Sequence, residues 1–258
     1  MLGAIAGDII GSVHEANATK TKKFPLFVSE STFTDDTVLT VAVADHLLNG
    51  SSYVKSLHRY YHAYPFAGYG GSFIHWAACR KHEPYNSWGN GSAMRVSPVA
   101  YARDTLDEVL AEAQRSAEVT HNHGQGIRGA QATAAAIFLA RTGNSKEQIR
   151  KYIEDKFDYL LDDTLAQIRP SYCFDVSCQG SVPQSIIAFL ESTSYEDAVR
   201  NAISLGGDAD TMACIAGGIA EAYYGGVPED IRTRTLALLD DRLREVVLEF
   251  NERYSEWE

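Results

Sequence analysis

The chain lacks the features of several large protein classes. Its 258 residues contain no apolar run approaching the ~20 residues that a membrane-spanning helix needs, so no membrane partner is expected. Lys and Arg number 23 against 34 Asp and Glu, which gives a net charge of −11. A nucleic-acid-binding surface needs a basic stripe, and nucleic acid is therefore not expected as a partner. An anionic ligand would need backbone amides, helix N-termini or bound metals at its site.

Cysteine is scarce, and no export signal is expected. The four cysteines, at positions 79, 173, 178 and 214, show neither a zinc-ligand spacing nor the density of a disulfide framework. Free thiols in a reducing cytoplasm are expected. The segment 1–8 is apolar but has no basic region, and Asp8 interrupts it, which argues against a signal peptide. The sequence therefore predicts a soluble, cytoplasmic protein.

Alternating strand patterns are nearly absent, whereas helical periodicity recurs along the chain. The clearest apolar stripes lie over residues 2–10, 130–141 and 239–250. Gly and Asn mark the breaks between them, and no low-complexity linker or fixed-period repeat is present. The pattern predicts an all-α fold, with residues 1–258 forming a single compact multi-helix domain.

Two short acidic motifs of the same form lie far apart in the chain. They are Thr34-Asp35-Asp36-Thr37 and Asp208-Ala209-Asp210-Thr211, and each opens an apolar stretch with helical spacing. Thr and Asp are favoured helix caps, and acids in a first turn complement the helix dipole. Capping, however, needs only one such residue. If the fold brings the two helix N-termini together, their oxygen donors suit hard divalent cations such as Mg²⁺ or Mn²⁺.

The first helix carries two acids. Helical spacing places Asp8 and Glu15 opposite the apolar stripe of residues 2–10. Solvated acids on an amphipathic helix show the same pattern, and Asp8 could simply cap or hydrogen-bond neighbouring backbone. The acidic motifs in the same chain favour a functional role for Glu15.

Two further regions leave alternatives open. Segments 64–73 and 84–98 read as loops that mix glycine with aromatic residues. Such loops can present amide donors to phosphates and a flat ring to a base, or they can be surface loops anchored by their aromatics. His121 and His123 precede an Ala-rich helix without a third His or Cys at ligand spacing, so zinc is not predicted. A histidine there either donates a hydrogen bond to a phosphate or carboxylate or ties a loop down.

Together these segments resemble the ADP-ribosylglycohydrolase family, which includes the dinitrogenase reductase-activating glycohydrolase and the ADP-ribosyl-arginine and ADP-ribosyl-serine hydrolases. The resemblance covers nearly the whole chain and rests on the order and spacing of segments 7–15, 34–37, 68–70, 89–95, 120–121 and 205–211. It implies an all-helical fold with a two-metal centre in a central cleft. It also implies a metal-dependent hydrolase that removes ADP-ribose from a modified protein side chain or a small ADP-ribosyl conjugate, by cleaving the bond at the ribose anomeric carbon.

The resemblance also implies residue roles, carried over by position. The cofactors would be two divalent cations, Mg²⁺ or Mn²⁺, and their ligands would be Thr34, Asp35, Asp36, Asp208, Asp210 and Thr211. Glu15 would be the catalytic acid near the metals and the scissile ribose, and Asp36 would be catalytic as well as a ligand. The diphosphate and adenine would be held by Ser87, Trp88, Asn90 and His121, with the amides around Gly68 and Gly70. Trp88 would form one wall of the adenine pocket.

One departure concerns the acceptor from which ADP-ribose is removed. Arginine-specific members use an extra aspartate in the loop after the first metal motif, and residues 64–70 contain no acid. Arginine as the acceptor is therefore in question. Two alternative functions are a two-metal nucleotide phosphohydrolase and a non-catalytic, crystallin-like or ADP-ribose-binding protein. All six proposed ligands and Glu15 are present, which favours a catalytic protein.

Overall fold

Helices build the part of the chain that the computed structural model describes, residues 1–254. These residues contain fourteen α-helices and one 3₁₀ helix, and their β-type pairing is an isolated bridge between Gly89 and Ser177. The α-helices are α1 (Leu2–Gly11), α2 (Asp35–Asn49), α3 (Tyr53–Ala63), α4 (Gly71–Ala78), α5 (Gly91–Met94), α6 (Leu106–Glu118), α7 (Gly124–Arg141), α8 (Lys146–Phe157), α9 (Leu165–Ile168), α10 (Cys178–Leu190), α11 (Tyr195–Ile203), α12 (Ala209–Tyr224), α13 (Glu229–Leu238) and α14 (Asp241–Tyr254). The all-α prediction is confirmed.

The centre of the fold is the antiparallel pair of α1 and α12. Every residue of α1 is buried, and so are residues 209–222 of α12. A Cβ atom at Gly7 would lie 2.1 Å from the carbonyl oxygen of Ala213, and one at Gly11 would lie 2.5 Å from the Cα of Asp210. Only glycine allows the two backbones to approach so closely. The C-terminus of α1 is thereby fixed against the N-terminus of α12.

The predicted polar face of the first helix is wrong. The helix ends at Gly11, and Glu15 lies in the turn that follows it. Asp8 is fully buried. The sequence predicted that the side of this helix opposite the apolar stripe is polar. In the structure, the glycines on that side pack against α12. The stripes predicted near residues 130–141 and 239–250 are confirmed as parts of α7 and α14, with Leu239 just before α14.

The two segments read as loops are partly helical. Helix α4 begins at Gly71, and segment 84–98 contains α5 and the start of the 3₁₀ helix Ser97–Ala100. Ala93 and Met94 are buried. Packing of these apolar side chains stabilises short helices that local composition alone does not predict.

The structure bears on two of the composition-based expectations. No helix within residues 1–254 is long and apolar enough to cross a membrane. All four cysteines are free thiols, with Cys79 and Cys173 exposed and Cys178 and Cys214 buried.

Candidate functional site

The N-termini of α2 and α12 open into one cleft of about 360 Å³. Both acidic motifs line it, together with Glu15 from the turn after α1. The predicted site residues that line this cleft are Glu15, Thr34, Asp35, Asp36, Gly68, Gly70, Ser87, Asn90, His121, Asp208, Asp210 and Thr211. Trp88 is the predicted site residue that lies outside this lining. The fold therefore gathers segments from most of the chain length at one place.

Asp8, whose role the sequence left open, fastens α2 to α1. Its carboxylate accepts four hydrogen bonds from the start of α2. The Thr34 hydroxyl lies 2.7 Å from Oδ1, and the backbone nitrogen of Thr34 lies 3.0 Å from Oδ2. The nitrogen and hydroxyl of Thr37 also donate to Oδ2, over 3.1 and 2.5 Å. Burial raises the pKa of Asp8, although these four bonds act in the opposite direction.

The acids form two adjoining groups that share one residue. Carboxylate oxygens of Asp8, Asp36 and Asp210 lie within 4.8 Å of one another, and so do those of Glu15, Asp208 and Asp210. Asp210 belongs to both groups. Asp8 is less suited to bind an ion, because its carboxylate already accepts four hydrogen bonds, three of them on Oδ2. We assign it the role of positioning α2.

Asp36 has an oxygen free for a ligand. Its Oδ2 accepts a hydrogen bond of 3.2 Å from the Thr211 hydroxyl. Its Oδ1 is buried and has no hydrogen-bond partner among the described residues. A buried carboxylate oxygen without a donor is costly, and a cation would satisfy it.

Asp8 and the acids that line the cleft have no basic partners in the described part of the chain. None of Asp8, Glu15, Asp35, Asp36, Asp208 and Asp210 forms an ion pair there. Burial, followed by repulsion from Asp210, raises the pKa of Asp36 well above its usual range. Burial, followed by repulsion from Asp208, does the same to Asp210. Divalent cations would remove this repulsion, and donors that are all oxygen fit Mg²⁺ or Mn²⁺.

Asp35 stands apart from both groups. Its backbone nitrogen donates to the Ala67 carbonyl oxygen over 2.7 Å, which joins α2 to the loop before α4. Its carboxylate lines the cleft. Burial, with repulsion from Asp8 and Asp208, raises the pKa of Asp35 to about 8. Its assignment as a ligand stays a prediction.

Asn90 contacts the acidic centre. Its Nδ2 donates to Oδ2 of Asp208 over 2.7 Å and to Oγ of Ser181 over 3.2 Å. Asp208 precedes α12 but makes no side-chain capping bond there, whereas the Thr34 hydroxyl caps α2 by accepting from the nitrogen of Asp36. The capping interpretation thus describes Thr34 and does not describe Asp208.

His121 also lines the cleft, beside Gly89 and Gly91. Its ring is 5 % exposed, and its Nδ1 lies 2.8 Å from the Thr120 hydroxyl oxygen. Burial, followed by the charge of Arg95, lowers the pKa of His121 well below its usual range. Because its pKa is lowered, the imidazole of His121 is neutral at pH 7. Ser87 lies nearby and accepts a hydrogen bond of 3.1 Å from the nitrogen of Gly89.

Trp88 lies at the rim, and other apolar residues line the cleft. Its indole is 54 % exposed and meets the His123 ring edge-on at 5.9 Å. The backbone on either side of Gly89 pairs with the segment before α10. The backbone nitrogen of Asn90 donates to the Val176 carbonyl oxygen, and the backbone nitrogen of Cys178 donates to the Trp88 carbonyl oxygen. This pairing brings Phe174 and Val176 into the lining. Sequence reasoning missed both, because no local signal links them to residues 88–90.

Comparison with known proteins points to one family. The family model described as ADP-ribosylglycohydrolase matches residues 1–258. The ADP-ribosylhydrolase ARH3 of Mus musculus is 30 % identical, over 89 % of this chain and 84 % of its own. The protein of the same name from Homo sapiens is 29 % identical, over 89 % of this chain and 86 % of its own. The ADP-ribosylarginine hydrolase Tri1 of Pseudomonas putida (strain GB-1) is 26 % identical, over 89 % of this chain and 71 % of its own.

A solved structure has the same fold. A chain titled "ADP-ribosylglycohydrolase-related protein complex" superposes with a TM-score of 0.69. The match covers 97 % of this chain and 96 % of that one, at 23 % sequence identity.

Proposed function

The chain belongs to the ADP-ribosylglycohydrolase family and is a hydrolase of that type; we propose that it uses two divalent cations, Mg²⁺ or Mn²⁺, to remove ADP-ribose from a modified protein side chain or small conjugate. The observation that carries this proposal is the position of Asp210, whose carboxylate belongs to both acid groups. One residue placed between two groups of oxygen donors is suited to a pair of neighbouring cations.

The cation ligands would come from two helix N-termini. The proposed set is Thr34, Asp35 and Asp36 at the start of α2, and Asp208, Asp210 and Thr211 at the start of α12. Bound cations would orient the ribose hydroxyls and make a water molecule a stronger nucleophile at neutral pH. Asp8 and Asn90 would hold the two motifs in place from behind.

Glu15 is proposed to assist proton transfer at the ribose. It lies in the turn after α1, with its carboxylate oxygen within 4.8 Å of those of Asp208 and Asp210. Glu15 is exposed, but its partial desolvation, followed by repulsion from Asp208 and Asp8, raises its pKa. A carboxyl group whose pKa moves toward neutrality exchanges protons more effectively at neutral pH. Positive charge that develops on the ribose would also be favoured by the Glu15 and Asp36 carboxylates.

The rest of the cleft suits the ADP portion. Gly70 and Gly71 line it at the start of the eight-residue helix α4, where backbone N–H groups favour a phosphate. His121 offers a further donor, and Phe174 and Val176 offer an apolar wall for the adenine. The ribose would then lie at the acids and the base at the far end.

The acceptor is proposed to be a group other than arginine. Residues 64–70, beside Asp35, contain no carboxylate that could hold a guanidinium. The name of the Pseudomonas relative specifies ADP-ribosylarginine, whereas the name ADP-ribosylhydrolase ARH3 specifies no acceptor.

A substrate panel tests the proposal. Arginine-, serine- and O-acetyl-linked ADP-ribose would each be incubated with Mg²⁺, Mn²⁺ or chelator, and the products separated. We expect free ADP-ribose with an intact diphosphate, only in the presence of metal, and the slowest release from arginine. Glu15→Gln should lose about 10²–10⁴-fold in turnover and still bind ADP-ribose. An Asp155→Asn control, at an exposed surface ion pair, should match the wild type.

Two outcomes would overturn the proposal. Release of AMP or phosphate would identify a nucleotide phosphohydrolase. Binding of ADP-ribose without turnover under either metal would identify a non-catalytic protein.

A further inference from the structure

Arg95 carries a buried positive charge without an acidic partner in the described structure. Its side chain is fully buried and forms no ion pair within residues 1–254. Its Nη2 donates to the Ser116 carbonyl oxygen and to the Thr120 hydroxyl oxygen, both at 2.8 Å. Its Nε and Nη1 have no hydrogen-bond partner among those residues. Burial lowers the pKa of Arg95 to about 10, so it stays charged at neutral pH.

The hydroxyl of Thr120 links this charge to His121. A hydroxyl has one proton to donate and two lone pairs to accept with. Arg95 can only donate, and it therefore takes one lone pair of the Thr120 oxygen.

The Thr120 proton then has two candidate acceptors. Nδ1 of His121 lies 2.8 Å away, and the carbonyl oxygen of Ala117 lies 3.5 Å away. That carbonyl already accepts from the backbone nitrogens of Thr120 and His121, at 3.1 and 2.7 Å. The proton therefore goes to Nδ1, and the neutral imidazole carries its own proton on Nε2.

Nε2 of His121 lies beside Gly89 and Gly91. A Cβ at Gly91 would lie 3.2 Å from Nε2, and one at Gly89 would lie 3.7 Å from it. The His121 ring lines the cleft, and no hydrogen bond joins its Nε2 to any residue of the described chain. An N–H donor thus points into a space that the glycines leave open.

We propose that Arg95 and Thr120 are positioning residues that hold His121 as a neutral imidazole protonated on Nε2, so that it donates a hydrogen bond to an anionic oxygen of the ligand. The identity of that ligand, the diphosphate of ADP-ribose, rests on the function proposed above. The guanidinium disfavours an imidazolium beside it, since two buried cations would repel each other. The positive charge of Arg95, which has no acidic partner in the described structure, also attracts an anion to the part of the cleft beside His121.

The tautomer can be read directly by ¹⁵N NMR of histidine-labelled protein at pH 7, with a His121→Gln variant to assign the signals. We expect the Nε2–H form in the wild type without ligand. Thr120→Val removes the hydroxyl at nearly constant shape and should lose this preference. It should also weaken ADP-ribose binding by roughly 10- to 100-fold, the range for a hydrogen bond to a charged group. Thr120→Ser should restore both properties.

A matched control replaces Thr142, at the C-terminus of α7, with Val. It should change neither readout. An imidazolium or an Nδ1–H tautomer in the wild type would overturn the proposal, even if Thr120→Val fails to fold. So would a folded Thr120→Val protein with unchanged tautomer and affinity. The NMR experiment reads the tautomer without enzyme turnover. A failure of the proposed hydrolase activity would therefore not change the tautomer result, and the two failures can be told apart.

Discussion

Asn90 and Asp208 are joined by a hydrogen bond of 2.7 Å between Nδ2 and Oδ2, across the cleft wall. The bond counteracts the effect of burial, which raises the pKa of Asp208. Asn90→Ala should therefore weaken Mn²⁺ binding by about 10- to 100-fold, the usual range when a group that orients a metal ligand is lost. Calorimetric titration with Mn²⁺ measures this. If Mn²⁺ binding is unchanged and only ADP-ribose binding weakens, Asn90 acts on the substrate alone, as the sequence suggested.

Gly11 should be essential for placing Asp210. A methyl group there would meet the Asp210 Cα at 2.5 Å and the Ala209 carbonyl oxygen at 2.7 Å, and these backbone atoms cannot swing aside. Gly11→Ala should destabilise the protein by about 1–3 kcal/mol through overpacking and weaken Mn²⁺ binding. The control is Gly124→Ala, at the start of α7, where an added Cβ meets nothing within 4 Å. Urea unfolding that shows equal stability for the two variants would contradict the close packing of α1 on α12.

Phe174 and Trp88 compete for the adenine role. Phe174 lines the cleft, whereas Trp88 lies at its rim, and both side chains are 54 % exposed. We expect Phe174→Ala to weaken ADP-ribose binding by about 1–3 kcal/mol, the range for a stacked base, and Trp88→Ala to weaken it less. Titration of both variants with ADP-ribose decides. A larger loss in Trp88→Ala would restore the sequence-based assignment.

Glu112 should make stability depend on acid pH. Burial raises the pKa of its carboxyl, but hydrogen bonds from Arg115, Tyr53 and Arg103 outweigh this and hold it at about 2. A depressed pKa stabilises the fold above the unfolded value of about 4.3, and this contribution is lost as the pH falls toward 2. At roughly 1.4 kcal/mol per pKa unit, and allowing for the exposure of Arg115, it amounts to about 2–3 kcal/mol.

The matched variant is Glu112→Gln, which resembles the protonated acid. Its free energy of unfolding in urea should lie about 2–3 kcal/mol below that of the wild type at pH 7, and the gap should narrow between pH 4.5 and 2.5. A gap that stays constant over this range would show that Glu112 acts through packing and not through its charge.

The sequence predicted the helical class and the two acidic motifs from local signals, and the resemblance to a known family implied that the motifs meet. A Thr-Asp-Asp-Thr segment before an apolar helix is visible in a single window, and so is its counterpart at 208–211. The chemistry of their oxygen donors predicted a cation site on the condition that the two motifs meet. The structure shows how this meeting is achieved, through the close contact of α1 with α12 and the bonds of Asp8 to α2.

What the sequence could not supply depends on tertiary contacts. The role of Asp8 stayed open because its partners, Thr34 and Thr37, lie on another helix. Asn90 looked like a substrate contact because nothing local pairs it with Asp208. Phe174 reaches the cleft only because its segment pairs with the backbone around Gly89.

The shared position of Asp210 gives the most direct test of the two-cation centre. Calorimetric titration of metal-free protein with Mn²⁺ should give two ions bound per chain. Asp210→Asn keeps the shape of the side chain and removes its charge. We expect this variant to bind fewer than two Mn²⁺ ions per chain, with lower affinity at both sites. Circular dichroism should show that its helical fold is unchanged. Binding of two Mn²⁺ by Asp210→Asn with wild-type affinity, or of none by the wild type, would contradict the account.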